Sequence, residues 1–253
     1  MLFRSLCIAF SMYSKIPVPN VKWDDSGLKY AMCFFPLVGV VLGIITYIVG
    51  FFVLSLNISN LLLGCIMSVL PMILTGGIHF DGFLDTMDGI SSYGDIQKRL
   101  DILKDSNSGA FAVIGGLCYF TLSVGFCSYI NLKILLLLCI GYVLSRALSA
   151  LSVVTFPLAK NTGLLATFSN KAHKRPVATV MIFYILGCIT ALCLVDIKAC
   201  VGMVAVSLIC YLYHYINCIK NFGGITGDLS GYFLQICELS HIIINVILLE
   251  VII

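Results

Sequence analysis

Charged residues are scarce in this chain. Asp, Glu, Lys and Arg make up 11% of its 253 residues, whereas 60% are hydrophobic, and the mean hydropathy is +1.07. A soluble core of this length needs more polar surface than that composition supplies, which excludes a water-soluble globular protein. Spacing suited to a soft metal is also missing. The twelve cysteines are scattered with no C-x-x-C pair, and most sit in apolar runs, where they act as small hydrophobes. The four histidines are equally dispersed, so neither a zinc site nor a disulfide framework is indicated. The net charge of +3 is small, and no nucleic-acid partner is expected. Residues 1–14 lack the features of a cleaved signal, because Arg4 interrupts them and no clear small-residue cleavage site follows. They read as a short amphipathic or interfacial helix.

Apolar runs fill most of what remains. Spans are expected near 31–56, 58–78, 109–130, 132–155, 177–195, 199–219 and 232–253. The second is interrupted by Pro71 and Gly76-Gly77 and joined to the first by a turn at 57–60. The expected fold is therefore an all-α, polytopic integral membrane bundle. It has about seven transmembrane helices and short interfacial helices, in a single domain over 1–253. Residues 14–19, Ser-Lys-Ile-Pro-Val-Pro, form an extended link. The charged stretch 91–108 carries Leu100 and Leu103 on one side and reads as a surface helix, with Asp101 and Asp105 a turn apart on one face. Residues 156–176 read as a polar loop.

Seven spans divide the fifteen cations unevenly. One side holds only Lys133 and Lys198, Arg146 lies within the fourth span, and every other Lys and Arg falls on the opposite side. The positive-inside rule makes the rich side cytoplasmic, with the N-terminus inside and the chain in the cytoplasmic (inner) cell membrane. The Asp81 stretch, the Asp101–Asp105 stretch, the basic loop at 156–176 and the Asp228 loop then share that face.

The densest chemistry lies at residues 76–89, Gly-Gly-Ile-His-Phe-Asp-Gly-Phe-Leu-Asp-Thr-Met-Asp-Gly. On a helix turning ~100° per residue, Asp85 and Asp88 fall roughly 40° and −20° from Asp81. The three carboxylates share one stripe, with Gly82 and Gly89 beside it. Like charges on one face repel unless a cation joins them. Oxygen ligands next to bare backbone suit a hard divalent ion carrying a phosphate. Asp81, Asp85 and Asp88 are therefore candidate ligands for Mg²⁺.

A second glycine-acid stretch, residues 223–231, reads as a loop before the last span. Gly223, Gly224 and Gly227 could offer N–H groups to an anion, and Asp228 could serve as a base or a second metal ligand. Lys104, Lys160 and Arg146 could bind phosphate on the same face, alongside Asp105, Gly77, Gly82 and a substrate-bonding His79. The layout is that of a transferase acting on phosphate esters at the membrane surface, with Asp81, Asp85 and Asp228 as its catalytic acids.

At these motifs the sequence resembles the cobalamin synthase family. The likeness rests on residues 15–19, on Phe35-Pro36-Leu37-Val38-Gly39, on residues 76–89 continuing through 99–106 and Gly109, and on residues 223–228. Three positions depart from the family pattern. Lys160 stands where arginine is usual, Ser91-Ser92-Tyr93 replaces a more glycine-rich stretch, and Tyr232 follows Gly231 in place of a small residue. The resemblance implies a membrane enzyme that joins adenosylcobinamide-GDP to α-ribazole or its 5′-phosphate, releases GMP and requires Mg²⁺. It leaves homo-oligomer formation open.

Two other readings share some of these features. The spacing of Asp81, Asp85 and Asp88 is also similar to the carboxylate motif of CDP-alcohol phosphotransferases, but the Ala-Arg which that family places after its Asp-Gly is absent at Phe83-Leu84. An ion-coupled transporter would also use intramembrane carboxylates and broken helices. Here the acids cluster at span ends on one face, and no inverted repeat of the motif is evident.

Overall fold

The computed structural model describes residues 1–56 and 58–251. The chain opens with α1 (Leu2–Tyr13), followed by the short α2 (Asp25–Leu28) and a 3₁₀ turn at Ala31–Phe34 that leads into α3 (Phe35–Ser55). Then come α4 (Asn60–Thr75), α5 (Ile78–Ser91), α6 (Ile96–Ile102), α7 (Ala110–Cys127) and α8 (Leu132–Thr155). The remaining helices are α9 (Leu164–Lys171), α10 (Lys174–Val195), α11 (Ile197–Phe222) and α12 (Gly227–Val246), with a π-helical turn at Ile247–Val251. Among the described residues the extended pairing is a single parallel bridge between Leu158 and Ile225.

Six of these elements are long and apolar enough to cross a membrane, and α4 with α5, bent by 99° at their junction, makes a seventh if the pair is counted as one span. The fold is a polytopic helical bundle. Its most buried helix is α8, which packs on α3, α10, α11 and α12. The outer faces carry exposed apolar side chains such as Phe51 and Phe52 on α3, Phe183 and Leu186 on α10, and Ile209 and Leu212 on α11. Those are faces for acyl chains. α1 packs one face on the protein, with Cys7, Ile8 and Ala9 buried, and leaves Leu2 and Phe3 exposed.

The bend has a local cause. Gly76 and Gly77 both adopt left-handed backbone (φ 69° and 77°), which a side chain would strain. Their N–H groups close the end of α4 on Ile73 and Met72 carbonyls. Pro71 does not break the chain: α4 runs through it. Across the bend, the Lys15 N–H donates to the Leu74 carbonyl (2.8 Å), so the proline-rich link lies over the end of α4.

Three further expectations are corrected. Residues 156–176 are more than a polar loop: α9 lies within them, and Phe168 is buried in the core. α6 stops at Ile102, where Leu103 turns the chain, so Asp105 does not share a helical face with Asp101 and instead binds Asn107. The last span starts earlier than 232, because the Thr226 hydroxyl caps α12 and places Asp228 in its first turn. Residues 227–231 are thus helix rather than loop. Parts of two expectations, Asn57 in the 57–60 turn and residues 252–253 of the last span, lie outside the described residues.

Candidate active site

Glycine brings the two acidic stretches together. A Cβ on Gly82 would lie 2.8 Å from the Asp228 Cα and 2.9 Å from its carbonyl oxygen; one on Gly231 would lie 2.9 Å from the His79 carbonyl oxygen. α5 and α12 therefore cross backbone against backbone, with Asp81 and Asp85 on one side of the contact and Asp228 on the other. Asp81 is exposed, while Asp85 and Asp228 are half-buried. Asp85 lies in the combined field of the Asp81, Asp228 and Asp88 carboxylates.

Asp88 is engaged differently. Its two oxygens accept the Gly109 N–H (2.6 Å) and the Ala112 N–H (2.8 Å), donors that the first turn of α7 leaves open. It acts as a cap from outside that helix and ties α7 to α5. A Cβ on Gly109 would meet its oxygens at 2.8 and 2.9 Å, which explains a glycine there.

Among the described residues, no three His, Cys, Asp or Glu side chains close around one ion-sized point. That does not conflict with a Mg²⁺ site, because this ion keeps several waters and takes one or two carboxylates together with substrate phosphate. The donors present are hard oxygens from two crossing helices, and their mutual repulsion would be relieved by such a cation.

Two chambers meet at Asp228. One, of about 180 Å³, lies among α1, the 3₁₀ turn, α5, α8 and α12; Tyr13, Phe35, His79, Asp81 and Ser149 are among its lining residues. The other, of about 310 Å³, is lined by Lys104, Lys160, Thr162, Thr226, Gly227 and Asp228, among others. The Lys160 ammonium donates to the Leu100 carbonyl (3.1 Å) and Lys104 pairs with Asp101 (2.9 Å). Burial, and then the neighbouring Lys104 ammonium, hold the Lys160 amine below the usual lysine range. Asp105 is not among the residues lining this basic chamber.

The remaining predicted contacts divide. Gly227 has open space around it at the start of α12, and Gly77 opens onto a hollow beside Asp81. The N–H groups of Gly223 and Gly224 instead donate to Ile219 (3.2 Å) and Cys218 (2.9 Å), closing α11, so they are not free for an anion. Gly224 has a second reason to be glycine, because a Cβ there would strike the backbone at Leu158 and Ala159. Arg146 is buried within α8 and bonds Glu238 on α12 at 2.6 Å and the Tyr142 carbonyl at 2.9 Å. Its partner is a glutamate, not a site aspartate. The available signal was an acid well inside one apolar helix matched to a lone base inside another. Gly39 lets α3 close on this region, since its Cβ would sit 2.6 Å from the Tyr142 carbonyl oxygen.

Comparison with known proteins agrees with this architecture. A family model described as cobalamin-5-phosphate synthase matches residues 5–246. A protein of Lachnoclostridium phytofermentans named adenosylcobinamide-GDP ribazoletransferase is 46% identical over 240 residues, covering 93% of this chain and 90% of its own. One of the same name from Clostridium perfringens is 30% identical over 248 residues (96% and 97%), and one from a Geobacillus strain is 31% identical over 229 residues (87% and 86%). No solved structure matches the chain. With its motifs gathered at the α5–α12 crossing and almost its full length matched, this chain belongs to the cobalamin-5-phosphate synthase family.

Proposed function

We propose that this chain joins adenosylcobinamide-GDP to α-ribazole, or to its 5′-phosphate, and releases GMP. One observation carries the reading at the level of the site: Asp228 borders both chambers, one with the aromatic side chains of Tyr13 and Phe35 in its wall and the other with Lys104 and Lys160. A transfer between two substrates needs a base at the point where they meet. A hydroxyl of α-ribazole attacks the phosphorus that bears the cobinamide. Its proton passes to the Asp228 carboxylate, and the bond from that phosphorus to the oxygen leaving with GMP breaks. Lys160 and Lys104 face the charge that collects on the leaving phosphate, and the open N–H of Gly227 adds a neutral donor. Mg²⁺ held by Asp81 and Asp85 would neutralise the pyrophosphate. Asp88 and the Arg146–Glu238 pair hold the helices that carry these groups.

The charge asymmetry supports a site on the cytoplasmic face of the cytoplasmic membrane. Lys133 pairs with Asp196 (2.6 Å) and Asn131 with Glu250 (2.7 Å), joining groups that the same topology puts together on the outer face. Purified protein given adenosylcobinamide-GDP labelled in its guanylyl phosphate should release labelled GMP only when α-ribazole is supplied. Release at the same rate without α-ribazole would mean hydrolysis and would defeat the reading.

A further inference from the structure

We infer that the 180 Å³ chamber beside Asp228 seats the aromatic base of the acceptor nucleoside, with the Ser149 hydroxyl donating to its ring nitrogen. The inference rests on the proposed transfer for the identity of the nucleoside and on the cavity for everything else.

Size comes first. Pockets for drug-sized ligands occupy about 300–1,000 Å³. A chamber of about 180 Å³ takes one bicyclic ring and excludes a corrin macrocycle. Its walls suit a flat apolar ring. The Tyr13 ring lies 4.2 Å from that of Phe35 and stacks on that of His79 at 5.9 Å and 19°, while Val153 and Leu234 complete an aliphatic side. Aromatic rings in such offset arrangements accept a further ring edge-on or stacked.

Two polar atoms in this wall are left without partners. The Ser149 hydroxyl and His79 Nε2 are both buried, on residues 1% and 4% exposed, and neither makes a hydrogen bond within the protein. Buried polar groups are nearly always paired, so orphan atoms on two residues that line one cavity fit a ligand that brings a polar atom to this wall. The dimethylbenzimidazole of α-ribazole has one free ring nitrogen and two methyl groups, matching few polar partners in an apolar wall. With the base seated there, its ribose lies toward Asp228 and Asp81, which also line the chamber.

The test uses the full-length protein in lipid nanodiscs with α-ribazole and the matching α-riboside of dimethylindole, which lacks the ring nitrogen. In the wild type the indole riboside should show a KM roughly tenfold higher, the effect of one lost hydrogen bond. Ser149→Ala should narrow that ratio to about threefold or less. Val153→Phe, which fills the chamber, should raise the KM for α-ribazole at least about tenfold and leave that for adenosylcobinamide-GDP in place. Equal KM values for the two ribosides in the wild type would overturn the inference. So would a Val153→Phe effect confined to adenosylcobinamide-GDP, which would seat guanine there instead. Equilibrium binding of α-ribazole, read without turnover, separates this inference from the transfer reaction. Absent turnover with binding lost in Val153→Phe would reject the transfer and keep the chamber; binding unchanged in that variant would reject the chamber.

Discussion

The backbone of Gly82 rests directly against that of Asp228, close enough that a single added Cβ would lie 2.8 Å from the Asp228 Cα. Residues 146 positions apart in the chain are thereby fixed to each other by backbone rather than by flexible side chains. The acids on α5 and the acid on α12 then hold one geometry, which is what transfer between two bound substrates demands.

Gly82→Ala should therefore damage activity more than stability. Overpacking of this kind costs about 1–3 kcal/mol, and the strain falls on the crossing that sets the acids. GMP release should drop at least about tenfold while the protein still accumulates in membranes. Gly125→Ala and Gly187→Ala, where a new methyl meets nothing within 4 Å, should keep near wild-type rates.

Asp88 should separate from its neighbours on the stripe. Asn keeps one acceptor but turns an amide donor toward the second N–H of α7. Asp88→Asn should lower thermal stability by about 1 kcal/mol, as for a lost helix cap, and retain measurable turnover. Asp81→Asn and Asp85→Asn should abolish turnover with little change in stability. Thermal unfolding and GMP release on the same preparations check both halves.

The Arg146–Glu238 pair predicts the opposite pattern. Arg146→Met leaves Glu238 charged and unpaired in the bundle, a change that typically costs about 3–5 kcal/mol. Little folded protein should accumulate, and the double variant Arg146→Met, Glu238→Gln should recover much of it. A well-folded Arg146→Met protein with a raised KM for adenosylcobinamide-GDP would assign the guanidinium to phosphate instead.

Lys160 gives the reaction a pH signature. Its pKa is lowered, by burial and then by Lys104, so it loses its proton at a lower pH than an ordinary lysine. Activity that needs the Lys160 cation should fall on the alkaline side as pH rises through that pKa. Removing the neighbouring positive charge favours the protonated form, so Lys104→Gln should move the alkaline limb of kcat/KM to higher pH. An unmoved limb would place some other group in control of it.

Much of this was legible in the sequence, for identifiable reasons. The spans followed from apolar runs of bilayer length, and the acidic stripe followed from helical periodicity, which α5 obeys. The bend at Gly76-Gly77 was visible because only glycine takes left-handed backbone without strain; Pro71 misled because a helix can absorb an interior proline. What escaped were relationships between distant segments. Asp88 looked like its neighbours because the α7 N-terminus that it caps begins 21 residues later. Gly223 and Gly224 looked like an anion-binding loop because a helix-closing pair of glycines has the same composition. Glu238 passed unnoticed because an acid inside an apolar run shows its meaning only when Arg146 stands opposite.

The division of labour between the crossing helices is tested most directly by titrating Mg²⁺ against GMP release in Asp85→Asn and Asp228→Asn. With Asp85 holding the ion and Asp228 accepting the proton, Asp85→Asn should raise the Mg²⁺ concentration for half-maximal rate strongly, if any activity remains. Asp228→Asn should cut kcat by roughly 10²–10⁴-fold, the usual range for loss of a general base, and leave that concentration nearly unchanged. A large rise in the Mg²⁺ requirement of Asp228→Asn would contradict the account, by moving Asp228 into the metal's coordination and leaving the base elsewhere.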